Sequence, residues 1–397
     1  FGDGQTSTEQ NPLHSYSSAG DYTVRLTTTG PQGSDVVEKT NYVHVGIEKL
    51  WAKTYSVSVS SGLDADRAYA IRRTAGGGYI VAGGSVAVPQ AWVLKLNGDG
   101  SVAWDKAYRG SSDDVAHTAE ETVDGGYIIA GYTRSFGAGG SDMWILKLNS
   151  HGSVEWQRTY GGAADDEAYD VLQTADGGYF VVGNRNDNFW VLKLKSNGFV
   201  EWEKTYGGNY TGTARSIQQT ADGGYILAGD RGYVDFWVLK LNADGSAAWQ
   251  KIYSPGGFWN RLGTIQQTAD GGYVLAGRGN DDACVIKLFG DGTIEWQKGY
   301  EGATDSTDEI DGARYIEQTD DLGYIVAGFT RSFDTDKADM WLLKLNADGT
   351  IAWEKTYGGY FEDEAFSVQE TRDTNGIVDG YVVAGFTESY GNGRQFY

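Results

Sequence analysis

A short motif returns seven times along the 397 residues, and this repetition limits the possible folds more than any other feature. The motif is Gly-Tyr, two or three apolar residues and then Ala-Gly, or Val-Gly in one copy. Its tyrosines are Tyr79, Tyr127, Tyr179, Tyr225, Tyr273, Tyr324 and Tyr381. Successive copies lie 46 to 57 residues apart, which is the length of a four-stranded propeller blade. The sequence therefore predicts an all-β chain that forms a seven-bladed β-propeller of four-stranded blades.

One copy of the repeat, residues 166–208, shows how a blade is divided into strands. Strands are predicted at 168–174, 179–183, 189–194 and 200–206, each rich in apolar or alternating residues. An Asp-Gly-Gly turn joins the first two strands, because a tight hairpin needs residues that tolerate positive φ. A turn of the type Asn-Ala-Asp-Gly joins the last two strands in other copies.

The tryptophans test this alignment independently. Seven occupy one fourth-strand position: Trp51, Trp104, Trp156, Trp202, Trp249, Trp296 and Trp353. Five occupy one third-strand position: Trp92, Trp144, Trp190, Trp237 and Trp341. Cys284 holds that third-strand position in another copy. We interpret these tryptophans as packing between blades and Cys284 as a buried small hydrophobe rather than a nucleophile.

The two ends of the repeat region predict how the ring closes. Residues 50–55 (LWAKTY) have the pattern of a fourth strand with no blade before them, and the last copy stops as its third strand begins. Because open sheet edges invite aggregation, we expect residues 50–55 to close blade 7. The propeller is then expected to span residues 47–397, with a C-terminus that looks truncated.

Residues 1–46 lack the repeat and predict a small β-sandwich segment with a turn at residues 30–33. This segment resembles the C-terminal part of a PKD domain, an immunoglobulin-like module of archaeal and bacterial surface proteins. The resemblance is carried by Phe1-Gly2-Asp3-Gly4, Asn11-Pro12, His14-Ser15-Tyr16, Gly20-Asp21-Tyr22-Thr23-Val24 and Tyr42-Val43-His44-Val45. The first strands of that family are absent, so the N-terminus also looks truncated.

Residues 47–397 are similar to the DGGYIVAG, WLLKLN and WxKTYGG repeats of large secreted and cell-surface proteins, especially of archaea. This resemblance implies an extracellular location and a structural or adhesive role in a cell surface, sheath or filament. The expected partners are other copies of the chain or other surface proteins, with glycans as an alternative ligand class.

Charge and composition argue against several other functions. The formal net charge of −22 opposes binding to nucleic acid or to an anionic membrane, and no apolar run could span a bilayer. One cysteine and four scattered histidines leave little material for a zinc or iron site or a Ser/His/Asp triad. We therefore predict a non-enzymatic protein without direct membrane insertion; a polysaccharide hydrolase or lyase is the least favoured alternative.

Irregular loops gather on one face of the predicted propeller, where function would concentrate. Aromatic and basic side chains of these loops predict a glycan-binding surface, and local packing of the loops is the alternative explanation. The candidates are Trp259, Phe258, Arg261, Tyr210, Tyr233, Tyr360 and Phe361. Asn209 begins a sequon for N-glycosylation.

Acidic residues of two loops on the same face predict a Ca²⁺ site, and no other cofactor is expected. They are Asp305, Asp308, Glu309, Asp311, Asp334, Asp336 and Asp339. A solvated acidic surface is the alternative. Arginines also follow five second strands: Arg134, Arg185, Arg231, Arg278 and Arg331. They could bind an anionic glycan, although pairing with nearby carboxylates is the simpler prediction.

Overall fold

The computed structural model describes most of the chain in ten larger segments. These are residues 1–9, 20–31, 33–45, 52–56, 66–85, 89–207, 211–257 without 233, 260–302, 310–332 and 337–389 without 374–375, together with residues 12 and 14. Contacts divide the chain into two units: Phe1–Trp51 with Glu370–Gly380, and Ala52–Gln369 with Tyr381–Tyr397.

The N-terminal unit contains one long antiparallel hairpin. Strand β1 (Gly20–Gly30) pairs with β2 (Gly33–Val45), and Gly33 takes a φ of +129° at the turn. Before the hairpin, His14 Nε2 lies 2.7 Å from the Asp3 carboxylate. The ring of Phe1 stacks on the His14 ring at 4.0 Å, so the side chains of Phe1, Asp3 and His14 form one small cluster.

The second unit is built from six four-stranded antiparallel sheets, each a simple meander of consecutive strands. The first three are β3 (Asp66–Arg73), β4 (Tyr79–Ser85), β5 (Gln90–Leu96), β6 (Val102–Tyr108); β7 (Asp114–Glu121), β8 (Tyr127–Thr133), β9 (Asp142–Leu148), β10 (Val154–Tyr160); and β11 (Asp166–Gln173), β12 (Tyr179–Arg185), β13 (Asn188–Leu194), β14 (Val200–Tyr206).

The next three sheets are β15 (Gly212–Gln219), β16 (Tyr225–Arg231), β17 (Asp235–Leu241), β18 (Ala247–Tyr253); β19 (Arg261–Gln267), β20 (Tyr273–Gly279), β21 (Asp282–Leu288), β22 (Ile294–Tyr300); and β23 (Gly312–Gln318), β24 (Tyr324–Thr330), β25 (Asp339–Leu345), β26 (Ile351–Tyr357). A final two-stranded sheet pairs β27 (Asp363–Arg372) with β28 (Val378–Thr387).

The β-propeller with four-stranded blades is confirmed, but the prediction of seven blades is wrong, because only six sheets in the described part of the chain have four strands. Residues 52–56, in the segment expected to close blade 7, form no strand, and Leu50 and Trp51 lie outside the described residues. The fourth strand of a blade pairs only with the third strand. The residues expected to begin the third strand of blade 7 also lie outside the described part of the chain. Tyr55 nevertheless donates a hydrogen bond to Gly100 O at 2.5 Å, as the fourth-strand Tyr108 does to Gly152 O at 2.6 Å.

The inner strands form a ring that the last sheet completes. Between blades 5 and 6, the backbone N–H of Gln318 donates to the Gln266 side chain at 2.7 Å. The same bond joins the final sheet to the first blade, where the N–H of Arg73 donates to Gln369 Oε1 at 2.6 Å. Strand β27 therefore takes the seventh inner position although its sheet has only two strands.

Each complete blade has a β-bulge in its inner strand. In blade 2 the pairing of β7 with β8 shifts between Ala116 and Thr118, which leaves His117 without a partner in the ladder. The bulge brings the backbone of the inner strand close to Gly131 of the second strand, where a Cβ would overlap the carbonyl oxygen of Val115. This close approach explains why the repeated motif ends in glycine.

The tryptophan positions confirm the predicted packing. The third-strand tryptophans are buried, and Cys284 in the same position is also buried, which raises the pKa of its thiol to about 12. Five fourth-strand tryptophans meet the motif tyrosine of the following sheet edge to face, as Trp104 does with Tyr127 at 5.7 Å. Trp202 instead meets Phe180 of its own blade at 5.2 Å. The five tryptophan–tyrosine contacts join neighbouring sheets.

A repeated ion pair that the sequence analysis overlooked holds the first turn of five blades. A buried third-strand lysine reaches the aspartate of the Asp-Gly-Gly turn, or of Asp-Leu-Gly in blade 6, at 2.8 to 2.9 Å. The pairs are Lys147–Asp124, Lys193–Asp176, Lys240–Asp222, Lys287–Asp270 and Lys344–Asp321. Blade 1 departs from this pattern, because Gly76 stands where the aspartate would be and burial lowers the pKa of Lys95.

The missing carboxylate of blade 1 predicts a stabilising substitution. A Cβ on Gly76 would meet no atom within 4 Å, so Gly76→Asp can place a carboxylate beside Lys95 without a clash. We expect the free energy of unfolding to rise by about 1 kcal/mol, partly from the ion pair and partly from lost chain entropy in the unfolded state. Thermal unfolding should show a higher midpoint for Gly76→Asp than for the uncharged control Gly76→Asn; equal midpoints would contradict the ion-pair contribution.

The turn aspartates predict how stability depends on pH. Hydrogen bonds from Lys193 and then Thr174 lower the pKa of Asp176 to about 2 from its usual 3.8. The folded state then binds fewer protons than the unfolded chain, so stability falls as the pH drops from about 4 to about 2. The thermal unfolding midpoint should therefore decline as the pH is lowered across that range. The midpoint of Asp176→Asn should start lower and decline less steeply.

Candidate functional site

The bulges build the candidate site, because the unpaired residue of each inner strand lines the same cavity. These residues are Tyr69, His117, Tyr169, Arg215, Gly263 and Arg314. Phe366 on β27 also lines the cavity, whose volume is about 450 Å³. We call this cavity the mouth of the central channel. A bulge re-aims a side chain, so one residue per blade is turned toward the axis.

The mouth has two chemically different walls. Tyr69, His117, Tyr169 and Phe366, from blades 1 to 3 and the final sheet, form an aromatic wall. The rings touch one another: His117 stacks on Tyr169 at 4.8 Å, and Tyr69 contacts Phe366 at 5.4 Å. Blades 4 to 6 contribute arginines instead, and we call these residues the arginine wall: Arg215, Arg261, Arg278 and Arg314.

Arginines outnumber acids in the mouth. Its lining contains six arginines, the four of the arginine wall with Arg67 and Arg72, against only two carboxylates, those of Asp170 and Glu364. The whole chain carries a net charge of −22, so this cavity reverses the sign of the protein around it. A positive cavity on an acidic protein favours an anionic ligand.

Only part of this positive charge is neutralised by neighbouring carboxylates. Arg314 Nη2 donates to Glu364 at 2.8 Å, and Arg215 Nε donates to Asp230 at 2.5 Å. The charge of Arg215, burial and the charge of Arg314 together lower the pKa of Arg261 to about 9. Repulsion between these guanidinium groups would be relieved by a bound anion.

Two guanidinium nitrogens in the mouth are buried without a hydrogen-bond partner. They are Nε of Arg67 and Nε of Arg314. A buried donor that lacks an acceptor costs about 1–3 kcal/mol. The Arg67 guanidinium lies over the Phe386 ring at 4.5 Å and the Arg314 guanidinium over the Phe329 ring at 4.9 Å, so aromatic rings offset part of this cost.

His117 is held in one tautomer. Its Nδ1 lies 2.8 Å from the carbonyl oxygen of Ala168, which can only accept, so Nδ1 carries the proton. Burial lowers the pKa of His117 below its usual 6.5, and the ring is neutral at pH 7. Its Nε2 is therefore a proton acceptor.

Below the mouth, further along the inner strands, lies a second cavity of about 320 Å³ with a more acidic lining. Burial raises the pKa of Glu120 to about 7 and that of Asp170 to about 6. Asp170 also accepts hydrogen bonds from the backbone of Val171 and Ile217, both at 3.0 Å, so it joins neighbouring blades. The channel is thus positive at the mouth and acidic beneath it.

Of the predicted glycan-binding residues, the structure places Arg261 in the mouth. Tyr360 and Phe361 lie on the surface with 87% and 56% of their area exposed. Trp259, Phe258, Tyr210 and Tyr233 lie outside the described residues, as does Asn209. The predicted surface as a whole stays a prediction.

The predicted Ca²⁺ residues are likewise described only in part. Asp305, Asp308, Glu309, Asp334 and Asp336 lie outside the described residues. Asp311 is buried and accepts hydrogen bonds from Gly302 at 2.8 Å and Ser332 at 2.9 Å, while Asp339 begins β25. Within the described segments, no group of three or more His, Cys, Asp or Glu side chains could hold a metal ion.

The arginines that follow second strands are largely paired, as the simpler prediction expected. Four of the five form ion pairs: Arg134–Asp113, Arg185–Glu203, Arg231–Asp235 and Arg331–Glu362. The inner-strand Arg67, Arg215 and Arg314 were overlooked. A signal was present for Arg215 and Arg314, since each follows an alanine that recurs at the same inner-strand position in six of the seven copies.

Comparison with known proteins identifies the N-terminal segment. Residues 1–45 match the model of the PKD domain family, which agrees with the predicted resemblance over residues 1–46. No curated protein matches the chain. Among the residues described, none belongs to a helix with the length and apolar character that crossing a bilayer requires.

Several solved structures share the fold at low sequence identity. An ulvan lyase, described as a new family of polysaccharide lyase, has a TM-score of 0.55 at 11% identity over 87% of this chain and 95% of its own. The periplasmic gluconolactonase of Pseudomonas aeruginosa has a TM-score of 0.52 at 13% identity over 85% and 96%. Hydrazine synthase of Kuenenia stuttgartiensis has a TM-score of 0.55 at 9% identity over 83% and 95%.

These neighbours correct the prediction that the chain is not an enzyme. A lyase and a gluconolactonase are built on the same propeller architecture, so this fold supports catalysis. The prediction was wrong because it looked for triads and metal ligands in sequence order, whereas a propeller assembles its central site from one residue of each inner strand. At these identities the likeness shows the fold alone.

The crowded arginine wall predicts opposite effects of two similar substitutions on stability. Arg261→Gln removes a charge that its neighbours repel, so the free energy of unfolding should rise by up to about 1 kcal/mol at low salt. Arg314→Gln removes the partner of Glu364 and should lower the free energy of unfolding by about 1–3 kcal/mol. Thermal unfolding at low and high ionic strength checks both; a loss of stability in Arg261→Gln would contradict the repulsion.

Proposed function

We propose that the mouth of the central channel binds an acidic carbohydrate. The observation that carries this proposal is the excess of six arginines over two carboxylates in one cavity of a chain whose net charge is −22. Guanidinium groups bind carboxylate and sulfate oxygens through charge-assisted hydrogen bonds. The aromatic wall opposite supplies flat apolar surfaces for the C–H faces of a sugar ring.

The division of the mouth favours a sugar over a simple anion. A sugar acid that packs against the aromatic wall would direct its charged group toward the arginine wall, because the two walls come from different blades of the ring. Inorganic phosphate or sulfate would use the arginines and leave the aromatic wall without a role. A second structure of the ulvan lyase, with a TM-score of 0.54, is bound to -[GlcA(1-4)Rha3S]-, an acidic sugar chain.

An extracellular adhesive setting is part of this proposal. The PKD match at residues 1–45 supports it, since such domains are typical of extracellular proteins. A propeller that holds acidic polysaccharide would attach its chain to a polymer of the cell surface or its surroundings. Self-association and contacts with other surface proteins remain further proposals.

Binding of charged and uncharged forms of one polymer tests the proposal. Dextran sulfate and a glucuronate–rhamnose-3-sulfate polymer should bind, and dextran should not. Arg261→Gln should weaken binding of dextran sulfate about tenfold, which corresponds to about 1.4 kcal/mol. The matched control is Arg134→Gln, because Arg134 pairs with Asp113 outside the mouth and should leave the affinity unchanged.

Two results would contradict the proposal. One is equal binding of dextran and dextran sulfate. The other is an equal loss in the Arg261 and Arg134 variants, which would place the polymer elsewhere on the surface. Because the whole protein is acidic, diffuse ionic attraction to a polyanion is unfavourable and does not obscure the result.

A further inference from the structure

The mouth places a proton acceptor among aromatic rings. His117 lines the cavity with Nδ1 fixed on Ala168 O at 2.8 Å, so the lone pair of the neutral ring is on Nε2. Parallel stacking on Tyr169, with ring centroids 4.8 Å apart and planes 6° apart, fixes the plane of the imidazole. The hydrogen bond fixes the tautomer and the stacking fixes the ring plane, which are the two conditions that orient a general base.

A proton donor lies beside this acceptor. The Tyr69 ring meets the His117 ring edge to face at 5.6 Å, and burial raises the pKa of the Tyr69 phenol, which stays protonated. The Tyr169 hydroxyl already donates its proton to Glu167 at 2.6 Å. Tyr69 is therefore the better placed phenol to give a proton to a ligand.

The arginine wall completes a set of three chemical groups. A uronate carboxylate bound to guanidinium groups has its negative charge neutralised, and this makes the proton on the adjacent carbon C5 more acidic. Arg67, Arg261 and Arg314 all line this cavity. The mouth thus holds a carboxylate-binding group, a proton acceptor and a proton donor in one cavity.

We propose that the mouth cleaves 4-linked uronate chains by β-elimination, with His117 as base and Tyr69 as acid; this inference rests on the proposed binding of acidic carbohydrate. Nε2 of His117 takes the C5 proton, and the electron pair of that C–H bond forms the C4=C5 double bond. The bond from C4 to the bridging oxygen breaks, and that oxygen takes the hydroxyl proton of Tyr69.

The step is balanced without any co-reactant. Its products are a chain with a new hydroxyl end and a chain that begins with an unsaturated uronate. His117 is left as imidazolium and Tyr69 as phenolate, and proton exchange with solvent restores both.

Absorbance of the conjugated C=C and carboxylate measures the reaction directly, because hydrolysis of the same bond gives no such chromophore. The full chain is incubated with the glucuronate–rhamnose-3-sulfate polymer and, separately, with polygalacturonate. We expect a rise in absorbance for at least one of them. His117→Gln and Tyr69→Phe should each lower the rate about a hundredfold or more.

Controls separate catalysis from binding and folding. Affinity of His117→Gln for the polymer should stay within about threefold of the original, so the loss appears in kcat rather than KM. Tyr132→Phe is the matched control, since its ring contacts His117 at 5.6 Å from the second strand without lining the mouth. Its rate should stay within about threefold, and thermal unfolding confirms that each variant is folded.

Each failure has a distinct meaning. Polymer that binds but yields no unsaturated product overturns the elimination and leaves the proposed binding function in place. Unsaturated product that forms equally in His117→Gln overturns the assignment of the base. Absence of binding to both uronate polymers overturns the elimination, and absence of binding to dextran sulfate as well overturns the proposed function.

Discussion

The propeller depends on bonds that side chains make between blades, because neighbouring blades share no backbone ladder. The first strand of each complete blade pairs only with the second, so its inner edge has N–H groups that need acceptors. Side-chain oxygens of the preceding blade supply them: Asp170 for Ile217, Ser216 for Ile265 and Thr264 for Ile316. The polar inner strands are therefore part of the framework, and the channel cannot be filled with apolar side chains.

Charge is distributed unevenly over this framework. Five buried third-strand lysines each have an aspartate of the first turn within 2.9 Å. Four arginines of the second-strand ends are also paired. In the mouth, by contrast, the arginines outnumber the carboxylates. The acidic surface thus keeps polyanions away from the outside of the protein and leaves one cavity that attracts them.

Much of the fold was predictable because its signals are local and repeated. The spacing of glycines and tryptophans along the chain is enough to indicate blade length, turns and packing. The number of complete blades was predicted wrongly, since sequence repetition counts motifs and not hydrogen-bonded strands. The mouth was harder to predict, because simple alternation along an inner strand does not reveal a bulge. His117 was counted only among the four scattered histidines for that reason. Of the arginine wall, Arg261 and Arg278 were named as possible glycan-binding residues, whereas Arg215 and Arg314 were not.

The bulge also explains how one repeat can present different side chains at six equivalent positions. The residue at the bulge has no ladder partner, and the glycine opposite it is needed whatever side chain the bulge presents. Framework and recognition are thereby uncoupled within each copy. Duplication of a blade therefore preserves the backbone scaffold, while one residue in each copy determines which side chain faces the cavity. The six bulge positions carry tyrosine, histidine, tyrosine, arginine, glycine and arginine, so one backbone geometry accommodates an aromatic ring, a charged group or no side chain at all.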